Sequence, residues 1–142
     1  MGGKEMRTLE YYREILQNQG IELPEGVTND ETHYFSKLYI ARKLKDLNYN
    51  QEAYEIMRQM YEKNEVRFDK TLYASHEDYL EEKVNFFVEL ARLSYAVTQQ
   101  PAQSIPYLDE ALVRLDSEES SYPYINKAEI EQLRQEYIDL VG

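Results

Sequence analysis

The segment Tyr34–Asn64, YFSKLYIARKLKDLNYNQEAYEIMRQMYEKN, constrains the fold more than any other stretch of the chain. Apolar side chains recur at helical spacing on both sides of the turn-forming triplet Asn48-Tyr49-Asn50. Phe35, Leu38, Ile40, Ala41 and Leu44 mark one stripe, and Ala53, Ile56, Met57 and Met60 mark the other. The pattern predicts two helices folded back on each other. Ala41 and Ala53 are small where such helices cross, and the missing bulk lets the two backbones approach closely. A weaker echo runs from Phe87 to Leu115, with Phe87, Leu90, Ala91, Ser104, Leu108 and Ala111 in comparable roles.

The flanking sequence reads as helix throughout. Met6, Leu9, Tyr12, Ile15 and Leu16 share a face of a helix over 4–19, which Gly20 stops. Ile21–Val27, with Pro24 and Gly26, reads as a loop. Thr28 and Glu31 have capping-box spacing, so the next helix is expected to start near residue 29 and run to about Leu47, with its partner over about 51–64. Ser75-His76-Glu77-Asp78 offers a second box for a helix over His76–Thr98, whose stripe is Leu80, Val84, Phe87, Val88, Ala91 and Tyr95. Gln100-Pro101 opens a further helix to about Leu115. Pro106 is costly deep inside it, which favours Ser104 as its cap. Asp116–Pro123 is an acidic, Ser-rich loop, and Asn126 caps a last helix carrying Ile130, Leu133, Tyr137 and Leu140. Glu65–Ala74 fits either a helix extension or a connector, and no strand pattern occurs. The expectation is one all-α domain over 1–142 with about six helices. Hairpins at about 29–64 and 76–115 are flanked by an N-terminal helix over 4–19 and a capping C-terminal helix over 126–140.

Ile40, Ala41, Leu44 and Ala53 stand in the register of a tetratricopeptide repeat, and Tyr34–Asn64 resembles one such unit. Met57 occupies a position usually aromatic, Lys37 stands where a bulky apolar residue is expected, Met60 replaces the usual Ala, and no Pro follows the second helix. The second unit needs one inserted residue in its turn, and Ala41 and Ala91 are 50 residues apart against a family period of about 34. The resemblance implies stacked antiparallel hairpins whose first helices line a concave groove. It places Phe35, Tyr39 and Arg42 of one unit, and Asn85, Glu89, Arg92 and Tyr95 of the other, on that inner face. Arg and Asn in such a groove supply donors for a peptide backbone or a carboxylate, so the implied partner is a protein or peptide.

Charge narrows the partner classes. A net charge of −11 argues against nucleic acid and against an anionic membrane surface, both of which need a Lys/Arg face. From Tyr107 to Gly142 nine acids face three bases, over half of the total excess. Fourteen Tyr without a Trp suit half-buried helix boundaries, and equally a contact surface. There is no Cys, no apolar leader and no apolar run near the roughly 20 residues that span a bilayer, so the expected location is cytoplasmic.

Sets of residues that carry chemistry are missing from the sequence. Asp30-x-x-His33 has no second carboxylate–His pair to complete a two-metal site, and no HExxH occurs. Asp46, Asn48 and Asn50 mimic the start of a calcium loop, but Gln51 stands where Gly is required and Met57 where the bidentate Glu belongs. There is no phosphate-binding Gly loop and no nucleophile elbow. The expectation is a non-enzymatic binding module without metal or cofactor. A small acidic inhibitor of a basic partner (an immunity protein or a nucleic-acid charge mimic) is the alternative. A homo-oligomer follows if the open ends of a short helical array pair with each other.

Overall fold

The computed structural model describes residues 8–30, 33–63, 75–117 and 127–142. Among them every regular element is a helix: α1 (Leu9–Asn18), α2 (Tyr34–Asp46), α3 (Asn50–Glu62), α4 (His76–Thr98), α5 (Pro101–Ser117) and α6 (Lys127–Val141). Packing divides the chain into two compact units, Met1–Val66 and Arg67–Gly142. Within each unit, helices adjacent in sequence pack on one another, α1 on α2 and α2 on α3 in the first, α4 on α5 and α5 on α6 in the second.

In the first unit, α2 and α3 fold back across a tight turn. The N–H of Asn48 donates to Lys45 O (2.9 Å) and that of Tyr49 to Leu44 O (2.8 Å), while Asn48 adopts φ 68°. This is the Schellman arrangement, whose left-handed residue suits Asn or Gly. The same pair of bonds closes α1, from Gly20 to Gln17 O and from Ile21 to Leu16 O, both 3.0 Å, with Gly20 at φ 80°. Ala41 and Ala53 are both fully buried, as a close crossing of α2 and α3 requires. Ile40, Leu44, Ile56, Met57 and Met60 fill the unit's interior with Leu9, Tyr12 and Leu16 of α1. The Tyr12 hydroxyl donates to Glu55 Oε1 (2.6 Å), tying α1 to α3 as well.

The second unit repeats the logic with longer helices. Ser75 caps α4, its Oγ accepting from the Asp78 N–H (3.1 Å), as the sequence predicts. Leu80, Val84, Phe87 and Ala91 are buried as expected, and Phe86, Leu90 and Leu93 widen the buried arc of α4 beyond one stripe. Ile130 and Tyr137 anchor α6, and Arg134 of α6 pairs with Asp109 of α5.

Three expected helix starts are corrected. Thr8, not a residue near Lys4, begins α1: its backbone is extended and its hydroxyl accepts from the Tyr11 N–H (3.3 Å). The second helix starts at Tyr34 rather than near 29, because the Thr28 hydroxyl is spent on a local turn, accepting from the Asp30 N–H (3.2 Å). Ser104 does not cap α5. Pro101 is its first residue, where a missing N–H costs nothing, and Pro106 is held inside the helix with its ring exposed. Ser104 is fully buried and its Oγ donates to Ala91 O of α4 (2.7 Å). Residues 4–7 of the first expected helix with Met6 of its stripe, the capping-box partner Glu31, the cap Asn126, the connector Glu65–Ala74, and Glu118–Pro123 of the acidic loop fall outside the described residues.

Candidate partner-binding faces

Burial of one arc of α2 decides what its other arc presents. Ser36, Lys37, Leu38, Ile40, Ala41 and Leu44 are all buried. The remaining arc carries Phe35, Tyr39, Arg42, Lys43 and Asp46. Phe35, Tyr39 and Lys43 follow one another at i, i+4 and i+8, the spacing that brings side chains into register along a helix. The Phe35 and Tyr39 rings lie 6.3 Å apart, and Lys43 Nζ stands 5.6 Å from the Tyr39 ring centroid. The His33 ring meets Phe35 edge-on at 6.1 Å. The result is a surface ladder of aromatic faces ending in a cation. Phe35 is 52% exposed, a large apolar side chain left uncovered in its own unit.

The N-terminal end of this ladder is fixed from beneath. Buried Ser36 accepts from the Thr28 N–H (2.8 Å), and its Oγ lies 2.6 Å from His33 Nδ1. The loop before α2 is thereby fastened to the helix at the residue next to Phe35. Lys37, the misfit of the sequence pattern, is 5% exposed on the inner arc, so its four-carbon stem is out of water where the pattern asks for an apolar side chain.

The charge on α2 is unlike that of the rest. Among the six described helices it alone carries more bases than acids: Lys37, Arg42, Lys43 and Lys45 against Asp46. The outward stripe, exposed at Phe35 and Asp46 and half-buried between them, therefore joins aromatic surface to positive charge in a chain of net −11.

The candidates of the second unit lie along α4. Asn85 and Arg92 are exposed and Glu89 is half-buried, and the three share a face at spacings of four and three. Tyr95 is half-buried, and its ring sits 5.2 Å from that of Tyr137 on α6, so it is taken up in packing within its own unit. Burial raises the pKa of the Tyr137 hydroxyl, the positive charge of Arg92 opposes that rise, and Tyr95 and Glu136 add to it. Tyr39 and Arg42 thus belong to the first unit and Asn85, Glu89, Arg92 and Tyr95 to the second.

The repeat resemblance implies Phe35, Tyr39 and Arg42 but passes over Lys43, although its place four residues after Tyr39 is a usable signal. The Tyr95–Tyr137 contact had no such signal, since the two lie on separate helices. Among the described residues no three of His, Asp and Glu gather as metal ligands, and no helix is long and apolar enough to cross a membrane. No family model matches the sequence, and neither a curated protein nor a solved structure matches it.

Proposed function

We propose that this chain is a non-enzymatic, cytoplasmic protein- or peptide-binding module of tetratricopeptide-like helical hairpins, with α2 presenting the principal docking face. The observation that carries the reading is the Phe35–Tyr39–Lys43 ladder, exposed at Phe35 and half-buried at Tyr39 and Lys43, on a helix whose opposite arc is fully engaged in packing. Accessible aromatic surface held in register offers contact area at little entropic cost, which is how hot spots of interfaces are built. The repeat-like reading draws on a recurrence of small residues: Ala41 and Ala53 in one hairpin, Ala91 and Ser104 in the other, all fully buried. The Ser104–Ala91 bond supports it further, because a side chain as short as Ser reaches a carbonyl only where two helices lie close.

The test is affinity capture with the wild type and with a Phe35→Ala/Tyr39→Ala variant, followed by calorimetry on the purified partner. Loss of about 2 kcal/mol or more in the double variant is expected for a hot-spot pair. Equal affinity would remove α2 from the site. The acidic-inhibitor alternative draws on exposed Glu129, Glu131, Glu136 and Asp139 of α6. It requires a basic partner whose affinity survives the α2 variant and falls steeply with salt.

A further inference from the structure

We infer that the α2 face of one copy docks on the α6 face of a second copy. This rests on the reading of α2 as a docking surface and names an occupant for it. Two stripes of this chain match in charge and in apolar content. On α2, exposed Phe35 leads into Tyr39, Arg42 and Lys43. On α6, Glu129, Gln132, Glu136, Asp139 and Leu140 follow at i, i+3, i+7, i+10 and i+11, which places them on one outward face, away from buried Ile130 and Tyr137. All five are exposed, Leu140 by 58%. One stripe carries cations beyond an aromatic end, and the other carries carboxylates beyond an aliphatic end.

An antiparallel crossing brings the two into register. With Leu140 of one copy on Tyr39 of the other, the equal rise per residue of both helices sets Glu136 on Lys43 and Asp139 between Tyr39 and Arg42. The contact joins different surfaces on the two copies, so it is heterologous: the pair keeps one open α6 face on the first copy and one open α2 face on the second. Two helix stripes bury less than the roughly 1,200 Å² at which stable interfaces begin, so the association is weak and concentration-dependent. The net charge of −11 opposes the encounter, and the Debye length of about 8 Å at physiological salt confines that repulsion to near neighbours.

Sedimentation velocity over a concentration series, with charge-reversed variants, tests the pairing. One variant is Arg42→Glu/Lys43→Glu and the other is Glu136→Lys/Asp139→Lys, each checked for native helix content by circular dichroism. The wild type is expected to self-associate, each variant to lose at least tenfold in association constant, and an equimolar mixture of the two to recover it. The mixture is decisive because one variant keeps a native α6 and the other a native α2. A wild type that stays monomeric at every concentration overturns the inference, as does association that both variants retain or a mixture that stays monomeric. If the wild type is monomeric while the Phe35→Ala/Tyr39→Ala variant still loses a captured partner, the docking role of α2 stands and only the second copy falls. If neither effect appears, both fall.

Discussion

Tyr137 shows how one side chain reports the packing of its unit. It is buried on α6, its ring lies against Tyr95, and its hydroxyl pKa is raised above 10.0 mainly by loss of water, with Arg92 pulling it back. Between the ordinary phenol value and the raised one, the unfolded chain has released this proton and the folded one has not. The contribution to stability is therefore complete below pH 10 and is lost as pH rises through the folded value. In an ultraviolet titration of phenolate, Tyr137→Phe is expected to delete a late-titrating phenol, and Arg92→Gln to move that phenol later still. If the Arg92 variant moved it earlier, or left it in place, Arg92 would not sit within Coulombic reach. Nothing in the sequence announces this site: Tyr137 was legible as one member of an apolar stripe, but its partner on α4 was not, because periodicity names faces and leaves open what covers them. Phe35 makes the converse point. It stood in the apolar list of its helix, and only the choice of buried arc left it 52% exposed.

Element ends were the most legible part of the fold, wherever one residue had one use. Gly20 and Asn48 both sit at positive φ in Schellman closures, and Ser75 caps α4. Thr28 misled because its hydroxyl and its N–H each found another partner, Asp30 N–H and Ser36 Oγ, before any helix began. Ser104 misled because a small polar residue near a helix start serves equally as a cap or as a close-contact donor across a crossing, and here it does the second. The α2–α3 turn offers the sharpest check at this scale. Asn48 holds φ 68°, a conformation that costs an ordinary L-residue roughly 1–2 kcal/mol and Gly almost nothing. Asn48→Ala is expected to destabilise the chain by about 1 kcal/mol in urea unfolding, with an unchanged m-value, while Asn48→Gly matches or exceeds the wild type. An Ala variant as stable as the wild type would mean that the turn is not held left-handed.

Charge is distributed unevenly over the whole molecule, and magnitudes decide what salt does to it. Fifteen acids against seven bases lie in Arg67–Gly142, whereas Met1–Val66, which contains α2, carries twelve against nine. Two effects of opposite sign compete. Salt weakens exposed ion pairs such as Arg58–Glu62 and Arg114–Glu110, both i,i+4 pairs worth about 0.3–0.5 kcal/mol each. It also screens the self-repulsion that a net charge of −11 imposes on the compact state. Repulsion extends over every uncompensated acid, while the pairs act locally and weakly, so repulsion wins. Raising salt from about 0.01 M to about 0.15 M shortens the Debye length from about 30 Å to about 8 Å and is expected to raise the thermal midpoint. The rise should be a few degrees, since about 1 kcal/mol moves the midpoint of a chain this size by roughly 4 °C. Hydrogen exchange resolves where the gain falls: amides of α4, α5 and α6 should gain more protection than those of α1, α2 and α3, because the second unit holds most of the excess charge. A falling midpoint would mean that ion pairs outweigh repulsion, and equal gains in both units would mean that the imbalance between them has no bearing on stability.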